Sequence, residues 1–183
     1  MRDELRQARN AASLAQPNAA MLLLHQFQSL QIPKDTVVSG YMPIGSEINP
    51  LRIMDYLASN QVPLCLPVVV QENAPLEFRA YKMGDPLMTR GKFDIPEPLS
   101  NQPAVIPNVL LVPLLGFDRT GNRIGYGKGY YDYTLAALRA KNPKLLAIGL
   151  AYAEQEIHIT PNAHDQPLNI VVTPRETLYC FQP

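Results

Sequence analysis

A glycine-rich segment, residues 117–132, holds the residue types and spacing that best suit chemistry. Three alternate glycines and two cations mark it: Gly125, Gly127, Gly129, Arg123 and Lys128. Glycine permits positive φ angles and leaves backbone N–H groups open, and a helix that follows such a loop directs its positive end at a bound anion. The segment is therefore a candidate phosphate-binding loop. A glycine-rich turn with a solvated lysine is the alternative.

The spacing of these glycines differs from both common phosphate-binding patterns. The dinucleotide-binding fingerprint skips two residues before its third glycine, and the P-loop ends in Gly-Lys-Ser or Gly-Lys-Thr. The segment lies between an apolar run, residues 109–113, and a helical run that begins at Tyr130. Open α/β sheets bind ligands at the carboxyl ends of their strands, so this position favours an anion site over a plain turn.

Residues 117–132 resemble the signature of the 5-formyltetrahydrofolate cyclo-ligase family, also called methenyltetrahydrofolate synthetases. That signature is Phe-Asp, a short gap, and Gly-x-Arg-(Leu or Ile)-Gly-x-Gly-x-Gly-Tyr-Tyr-Asp before a helix, and the segment reproduces it in full. Weaker features of the family also occur in the family's order. They are a basic N-terminal helix, a Glu after the first strand, a Glu-Pro before the signature and a late Asp-x-Pro-Leu. The resemblance therefore spans nearly the whole chain.

The resemblance implies an activity. The family couples ATP hydrolysis to the closure of 5-formyltetrahydrofolate into 5,10-methenyltetrahydrofolate, and it releases ADP and phosphate with magnesium present. In the family's mechanism the formyl oxygen is phosphorylated, N10 attacks the activated carbon, and phosphate leaves as the ring closes. The implied partners are thus ATP, Mg²⁺ and 5-formyltetrahydrofolate, and no side-chain nucleophile is required.

The resemblance also implies roles for single residues. Arg123 and Lys128 would be catalytic, because they would offset charge on the transferred phosphoryl group. The implied ATP-binding residues are Arg2, Arg6, Arg123, Ile124, Gly125, Tyr126, Gly127, Lys128, Gly129, Tyr130 and Tyr131. The implied substrate-binding residues are Met42, Glu47, Tyr126, Gly127, Lys128, Gly129, Tyr130 and Tyr152. Asp132 and Asp165 would bind Mg²⁺, which usually takes only one or two carboxylates from a protein.

Several of these residues also have ordinary structural interpretations. Arg2 and Arg6 lie one turn apart and could form a solvated helix face. Asp132 could be a first-turn acid that the helix dipole favours, and Glu47 could be a loop carboxylate. Tyrosines near strand ends are commonly structural.

The histidines and cysteines are not expected to take part in chemistry. His25, His158 and His164 lack the spacing of metal ligands, so we interpret them as non-catalytic. Cys65 and Cys180 belong to no paired-cysteine motif, so we expect two buried thiols. A disulfide between them is the alternative.

Composition excludes several functional classes. Of 183 residues, 46% are hydrophobic and 17% charged, which predicts one folded domain over residues 1–183. Sixteen basic residues balance sixteen acidic ones, so no net field attracts nucleic acid or an anionic membrane. No apolar run approaches the ~20 residues of a membrane span. We expect a cytoplasmic protein that binds neither nucleic acid nor membrane, as a monomer, with a dimer as the alternative.

The elements that position the site follow from hydrophobic periodicity. Helices are predicted over residues 2–13, 17–33, 50–57 and 130–139, and strands over 36–42, 63–70, 76–81, 109–113, 145–150 and 170–172. The proline-rich stretch 83–107 predicts a long surface excursion. The alternation of apolar strands with helices predicts an α/β fold with three α/β/α layers and a mostly parallel, mixed sheet. The resemblance implies that this fold is NagB/RpiA/CoA-transferase-like.

Two other functions stay open at this point. A sensor of nucleotides or sugar phosphates could use the same sheet without catalysis. A nucleotide phosphohydrolase could turn over ATP without folate. Measuring ATP turnover with and without 5-formyltetrahydrofolate separates these two from the ligase.

Overall fold

The structure, a computed structural model, describes residues 1–32, 35–90 and 94–180. The helices of this part are α1 (Arg2–Ala15), α2 (Ala19–Phe27), α3 (Leu51–Ser59) and α4 (Tyr130–Lys141), with a short 3-10 helix at Ala153–Gln155. The strands are β1 (Val38–Ser39), β2 (Leu64–Val68), β3 (Glu77–Tyr81), β4 (Leu87–Arg90), β5 (Ile95–Pro98), β6 (Val109–Pro113), β7 (Gly116–Phe117), β8 (Arg123–Ile124), β9 (Leu146–Leu150), β10 (Ile170–Val172) and β11 (Thr177–Tyr179).

Seven strands form one sheet in the order β11-β10-β9-β6-β1-β2-β3. The five inner strands pair in parallel, whereas β3 and β11 pair antiparallel at the two edges. Every residue of β6 except Pro113 is buried, as expected of a central parallel strand that is covered on both faces. The predicted mostly parallel, mixed sheet is confirmed.

Helices cover both faces of this sheet. Leu111 and Val109 of β6 pack with residues of α2 and α3, such as Phe27 and Ile53, on one face. Leu110 and Val112 of the same strand pack on the opposite face with Leu135 of α4. Successive strand residues point to opposite faces, so one apolar strand serves two cores. This is the predicted three-layer α/β/α arrangement.

The edge strand β11 was not predicted, and several element ends are shifted, most of all those of β1, which was predicted over 36–42. The structure also differs from the sequence prediction in three other places. The stretch 83–107 is not one continuous excursion, because β4 and β5 form an antiparallel hairpin within it. The segment 117–132 contains a second hairpin, β7 with β8. The second helix ends at Phe27. The predicted helix end at residue 33 and the excursion residues 91–93 lie outside the described residues.

Cys65 and Cys180 are buried, unpaired thiols, as predicted. Burial raises the pKa of Cys65 to about 12 and that of Cys180 to about 11. Both thiols therefore stay protonated and unreactive near neutral pH. Separately, none of the helices in residues 1–32, 35–90 and 94–180 has the length and apolar content that a membrane crossing needs.

Candidate active site

A cavity of about 740 Å³ opens at the carboxyl ends of the central strands. Tyr41 and Met42 follow β1, Pro67 and Val69 lie at the end of β2, and Pro113 ends β6; all five line the cavity. The volume falls in the range of ~300–1,000 Å³ that is usual for small-molecule sites. The position is the one at which open α/β sheets bind ligands.

Most of the residues singled out from the sequence line this one cavity. They are Arg2, Met42, Glu47, Arg123, Ile124, Gly125, Tyr126, Gly127, Lys128, Gly129, Tyr130, Tyr131, Asp132 and Asp165. They come from α1, the loops after β1 and β8, the start of α4, and the loop before β10. The fold thus brings together residues from both ends of the chain.

Two singled-out residues lie elsewhere. Arg6 pairs with Asp3 at 3.0 Å on the exposed side of α1 and does not line the cavity. Tyr152 is 4% exposed and packs in the core with Leu150. Residues two apart on an extended chain face the same side of a sheet. The Tyr152 side chain therefore lies on the same face as that of Leu150 and packs in the same core. The implied contact of Tyr152 with the substrate stays a prediction, and in this structure the side chain packs in the core rather than lining the cavity.

The glycine loop, residues 123–129, contains backbone angles that residues other than glycine rarely adopt. Gly127 has φ 93° and Gly129 has φ 69°, and Gly129 is the residue just before α4. Gly125 has no positive φ and has open space where a side chain would be. The Arg2 Nε donates to the Gly125 carbonyl at 3.2 Å, and its guanidinium lies against Gly127. Helix α1 thus places the Arg2 guanidinium against the loop.

Asp132 fixes the glycine loop to the segment that carries Asp165. Its Oδ1 accepts hydrogen bonds from Arg123 Nη2 at 2.7 Å and from the Gln166 N–H at 3.0 Å. Arg123 also donates through Nη1 to the Gln166 carbonyl. The Arg123 side chain is 5% exposed and that of Asp132 is 32% exposed, so the cation of this pair is buried and the carboxylate still reaches solvent. Both terminal nitrogens of Arg123 are therefore already engaged by the protein.

Asp132 and Asp165 retain oxygens that a metal ion could use. Asp165 accepts from the Asn162 N–H at 2.8 Å through Oδ2, and Asp132 uses Oδ1; in the described part of the chain the second oxygen of each makes no hydrogen bond. No cluster of three or more His, Cys, Asp or Glu suited to a metal occurs in that part. Two carboxylates beside a candidate phosphate-binding loop fit Mg²⁺, which would take its remaining ligands from phosphate and water.

Lys128 is the most accessible cation of the loop. Its side chain is 48% exposed, and its Nζ lies 4.0 Å from Glu72 Oε1, which is 70% exposed. An exposed pair at this distance contributes little to stability. Lys128 is therefore free to leave Glu72 for a phosphate, in contrast to Arg123.

Glu47 is a buried carboxylate with donors on both oxygens. Tyr126 donates its hydroxyl to Oε1 at 2.5 Å, and the Ile44 N–H donates to Oε2 at 2.8 Å. Burial raises the pKa of Glu47 above its ordinary value, although the bonds from Tyr126 and Ile44 and the charge of Arg9 oppose this. Burial, followed by the nearby Glu47 charge, likewise raises the pKa of Tyr126, so that phenol stays neutral.

Arg9 belongs to this site and was missed from the sequence. It is 3% exposed and donates to the Tyr126 hydroxyl and, at 3.1 Å, to Ser46 Oγ. Its Nη1 also lies 3.9 Å from Glu47 Oε1. A signal was available: Arg9 follows Arg2 by seven residues, about two helical turns, and therefore shares its face of α1.

Comparison with known proteins points to one enzyme family. A model of the 5-formyltetrahydrofolate cyclo-ligase family matches residues 1–174. The 5-formyltetrahydrofolate cyclo-ligase of Haemophilus influenzae is 29% identical over 175 residues, which cover 92% of each chain. That of Mycolicibacterium smegmatis is 30% identical over 156 residues, which cover 79% of this chain and 77% of the relative.

Two solved structures share the fold. The 5,10-methenyltetrahydrofolate synthetase of Aquifex aeolicus superposes with a TM-score of 0.73 at 25% identity, over 100% of this chain and 94% of that one. The enzyme of the same name from Mycoplasma pneumoniae superposes with a TM-score of 0.72 at 20% identity, over 94% of this chain and 98% of that one. The fold class expected from the sequence is confirmed.

Proposed function

Because the chain belongs to the 5-formyltetrahydrofolate cyclo-ligase family, we propose that it uses ATP to close 5-formyltetrahydrofolate into 5,10-methenyltetrahydrofolate. One observation carries the proposal for the site: a single cavity collects the glycine loop, Asp132 and Asp165, and the buried Glu47. The first group suits a triphosphate, the second a magnesium ion, and the third the N–H groups of a folate. All three are needed for one reaction.

The triphosphate of ATP would lie on the glycine loop. The start of α4 and the Arg2 guanidinium would present positive charge to this place, and the backbone at Gly125 is open to it. Lys128 would move from Glu72 onto the terminal phosphate. Arg123 would act mainly by holding Asp132, because both of its terminal nitrogens are engaged.

The reaction needs positioning and charge rather than a protein nucleophile. The formyl oxygen attacks the terminal phosphorus, the bond from that phosphorus to ADP breaks, and the formyl carbon becomes electrophilic. N10 then attacks this carbon and releases its proton, the bond from the carbon to the former formyl oxygen breaks, and phosphate leaves with that oxygen as the five-membered ring closes. Lys128 and Arg2 would offset negative charge on the phosphoryl group as it moves.

Asp132 and Asp165 are the residues that would hold Mg²⁺. When bound, the ion supplies positive charge close to the phosphate oxygens. Asp132 keeps its hydrogen bonds from Arg123 and Gln166 on one oxygen, so the other oxygen is presented in a fixed orientation. Asp165 is held in the same way by Asn162.

The folate would contact Glu47 and Tyr126. The pair is held by Arg9, whose buried guanidinium keeps a positive charge near the carboxylate. A carboxylate makes strong charge-assisted bonds with N–H donors. Met42, Gly127, Gly129 and Tyr130 line the same cavity and would complete this contact. The two unpaired thiols suit a reducing compartment such as the cytoplasm, and we place the reaction there.

Following the absorbance of the methenyl product tests the proposed function. Protein is mixed with ATP, Mg²⁺ and 5-formyltetrahydrofolate, and each component is omitted in turn. We expect product only in the complete mixture. Hydrolysis of ATP without folate would favour a phosphohydrolase, and binding without any turnover would favour a sensor.

A further inference from the structure

Glu97 is a buried carboxylate in the cavity wall that the proposed function does not use. It lies in β5, is 5% exposed, and lines the cavity. Its Oε1 accepts a hydrogen bond from the Val69 N–H at 2.9 Å, which joins the β4–β5 hairpin to the end of β2. In residues 1–32, 35–90 and 94–180 no arginine or lysine forms an ion pair with it. A buried charge without a partner is unfavourable unless a ligand supplies one.

The second oxygen of Glu97 is the one that a ligand in the cavity could use. Oε2 makes no hydrogen bond within the described residues, whereas Oε1 makes the one to Val69. Glu97 itself is among the residues that line the cavity.

The surroundings of Glu97 are apolar. The lining residues of β2, of β5 and of the segment between β2 and β3 are otherwise apolar: Leu66, Pro67, Val69, Leu76, Ile95 and Pro96. A single hydrogen-bond acceptor on such a wall suits a flat ring that has N–H donors along one edge. Glu47 has less capacity to accept further hydrogen bonds, because the Tyr126 hydroxyl and the Ile44 N–H already donate to its two oxygens.

The chemistry of the two substrates decides which ring fits. The triphosphate of ATP and the glutamate tail of folate are anionic, so a carboxylate repels them. Adenine presents its amino group beside ring nitrogens that are acceptors, so the carboxylate would face a lone pair. The pyrimidine edge of a pterin presents its 2-amino group beside N3–H, which gives two adjacent donors. This edge therefore offers the two oxygens of a carboxylate two neighbouring donors, which adenine does not.

We propose that Glu97 binds the 2-amino and N3–H edge of the pterin and thereby fixes the orientation of 5-formyltetrahydrofolate on the apolar wall. The inference rests on the proposed function and assigns it a specificity-determining residue. The pyrimidine ring lies against Glu97, and Glu47 with Tyr126 contacts the remaining part of the substrate.

The variant Glu97→Gln tests this role. Its amide oxygen can still accept from the Val69 N–H, while its NH₂ group opposes the pterin donors. We expect the KM for 5-formyltetrahydrofolate to rise about 10- to 100-fold, the usual worth of a hydrogen bond to a charged group, with the KM for ATP changed less than about twofold. Glu77→Gln is the matched control, since Glu77 is exposed on β3 and does not line the cavity. It should leave both constants unchanged.

A substrate analogue gives an independent test. With 5-formyltetrahydrofolate that carries hydrogen in place of the 2-amino group, the native protein should lose affinity, measured by calorimetry without ATP. Glu97→Gln should lose little more, because the two changes remove the same contact. Undiminished affinity of the native protein for the analogue overturns the proposal even if the variant does not fold.

The outcomes separate this inference from the proposed function. An active native protein whose Glu97→Gln variant keeps its KM for folate contradicts the inference alone. A rise confined to the KM for ATP places adenine on Glu97 and also overturns it. A native protein that makes no methenyl product contradicts the proposed function, and the calorimetric comparison then decides the role of Glu97 by itself.

Discussion

At the scale of single residues, the exposure of each cation in the cavity indicates its role. Arg123 is 5% exposed and bound to Asp132, whereas Lys128 is 48% exposed and only 4.0 Å from Glu72. A buried, doubly bound guanidinium positions its neighbours and cannot easily move. An exposed ammonium on a flexible stem can follow a phosphoryl group from one oxygen to another.

Lys128→Ala should therefore abolish most activity without weakening the fold. We expect kcat to fall about 100-fold or more, the usual effect of removing one donor to a charged transition state. The free energy of unfolding should change by less than about 0.5 kcal/mol, because the Glu72 pair is exposed. Product absorbance and urea unfolding measure the two quantities. Lys144→Ala, an exposed lysine outside the cavity, is the control; a normal rate in Lys128→Ala would exclude Lys128 from the site.

The burial of Glu47 predicts a pH dependence of stability. Burial raises the pKa of Glu47 from its ordinary value of 4.5 in the folded protein. Its favourable contribution is therefore complete below pH 4.5 and is lost as pH rises through the raised pKa. Measured by urea unfolding over a series of pH values, the stability of the native protein relative to Glu47→Gln should fall across this window. A difference that increases with pH would contradict the assigned direction.

At the scale of elements, the shape of the glycine loop depends on two residues that have positive φ angles. Gly127 and Gly129 do, whereas Gly125 does not and has open space around it. The loop also depends on α1, since Arg2 bonds to Gly125 and Arg9 bonds to Tyr126. The proposed anion site is thus built from a hairpin, a helix start and a distant helix.

Alanine substitutions along the loop should separate these roles. Gly127→Ala and Gly129→Ala should each cost about 1 kcal/mol or more of stability, because alanine is strained at positive φ. Gly125→Ala is the internal control and should cost less than about 0.5 kcal/mol. Urea unfolding of the three variants measures this order. Equal losses at all three positions would show that the φ angles are not the cause.

The sequence predicted the elements whose residues are buried in a regular pattern. The bounds of β6 were right because Val109–Pro113 is almost continuously apolar. The hairpins β4–β5 and β7–β8 were missed because prolines and two-residue strands leave no periodicity. Arg9 was missed for another reason: its role depends on Tyr126, which lies 117 positions away and meets it only in the folded chain.

At the scale of the whole molecule, the cavity joins parts of the chain that are remote in sequence. Its lining begins at Met1, includes Glu97 in the middle, and ends at Asp165. The turn that precedes β8 is also fixed to the last of these parts, because Leu168 N–H donates to the Gly121 carbonyl at 2.8 Å. A ligand that fills the cavity therefore contacts and stabilises several elements at once.

Ligand binding should consequently raise the stability of the whole fold. A substrate at about a hundred times its dissociation constant adds about 2.7 kcal/mol to the free energy of unfolding. For a chain of this size that corresponds to a rise in Tm of about 5–11 °C. Thermal unfolding with ATP, and separately with 5-formyltetrahydrofolate, measures the shift. Adenosine, which has no phosphates, is the control for ATP, and the absence of a shift with either substrate would contradict the assigned cavity.

The spread of the lining from Met1 to Asp165 has a consequence for protein synthesis. Helix α1 leaves the ribosome before the glycine loop does, so it has no loop to contact until residue 129 has emerged. Asp165 emerges last of the lining residues, still later than the loop. A nascent or prematurely terminated chain that stops short of Asp165 therefore lacks part of the proposed site, and we expect such fragments not to spend ATP on the reaction.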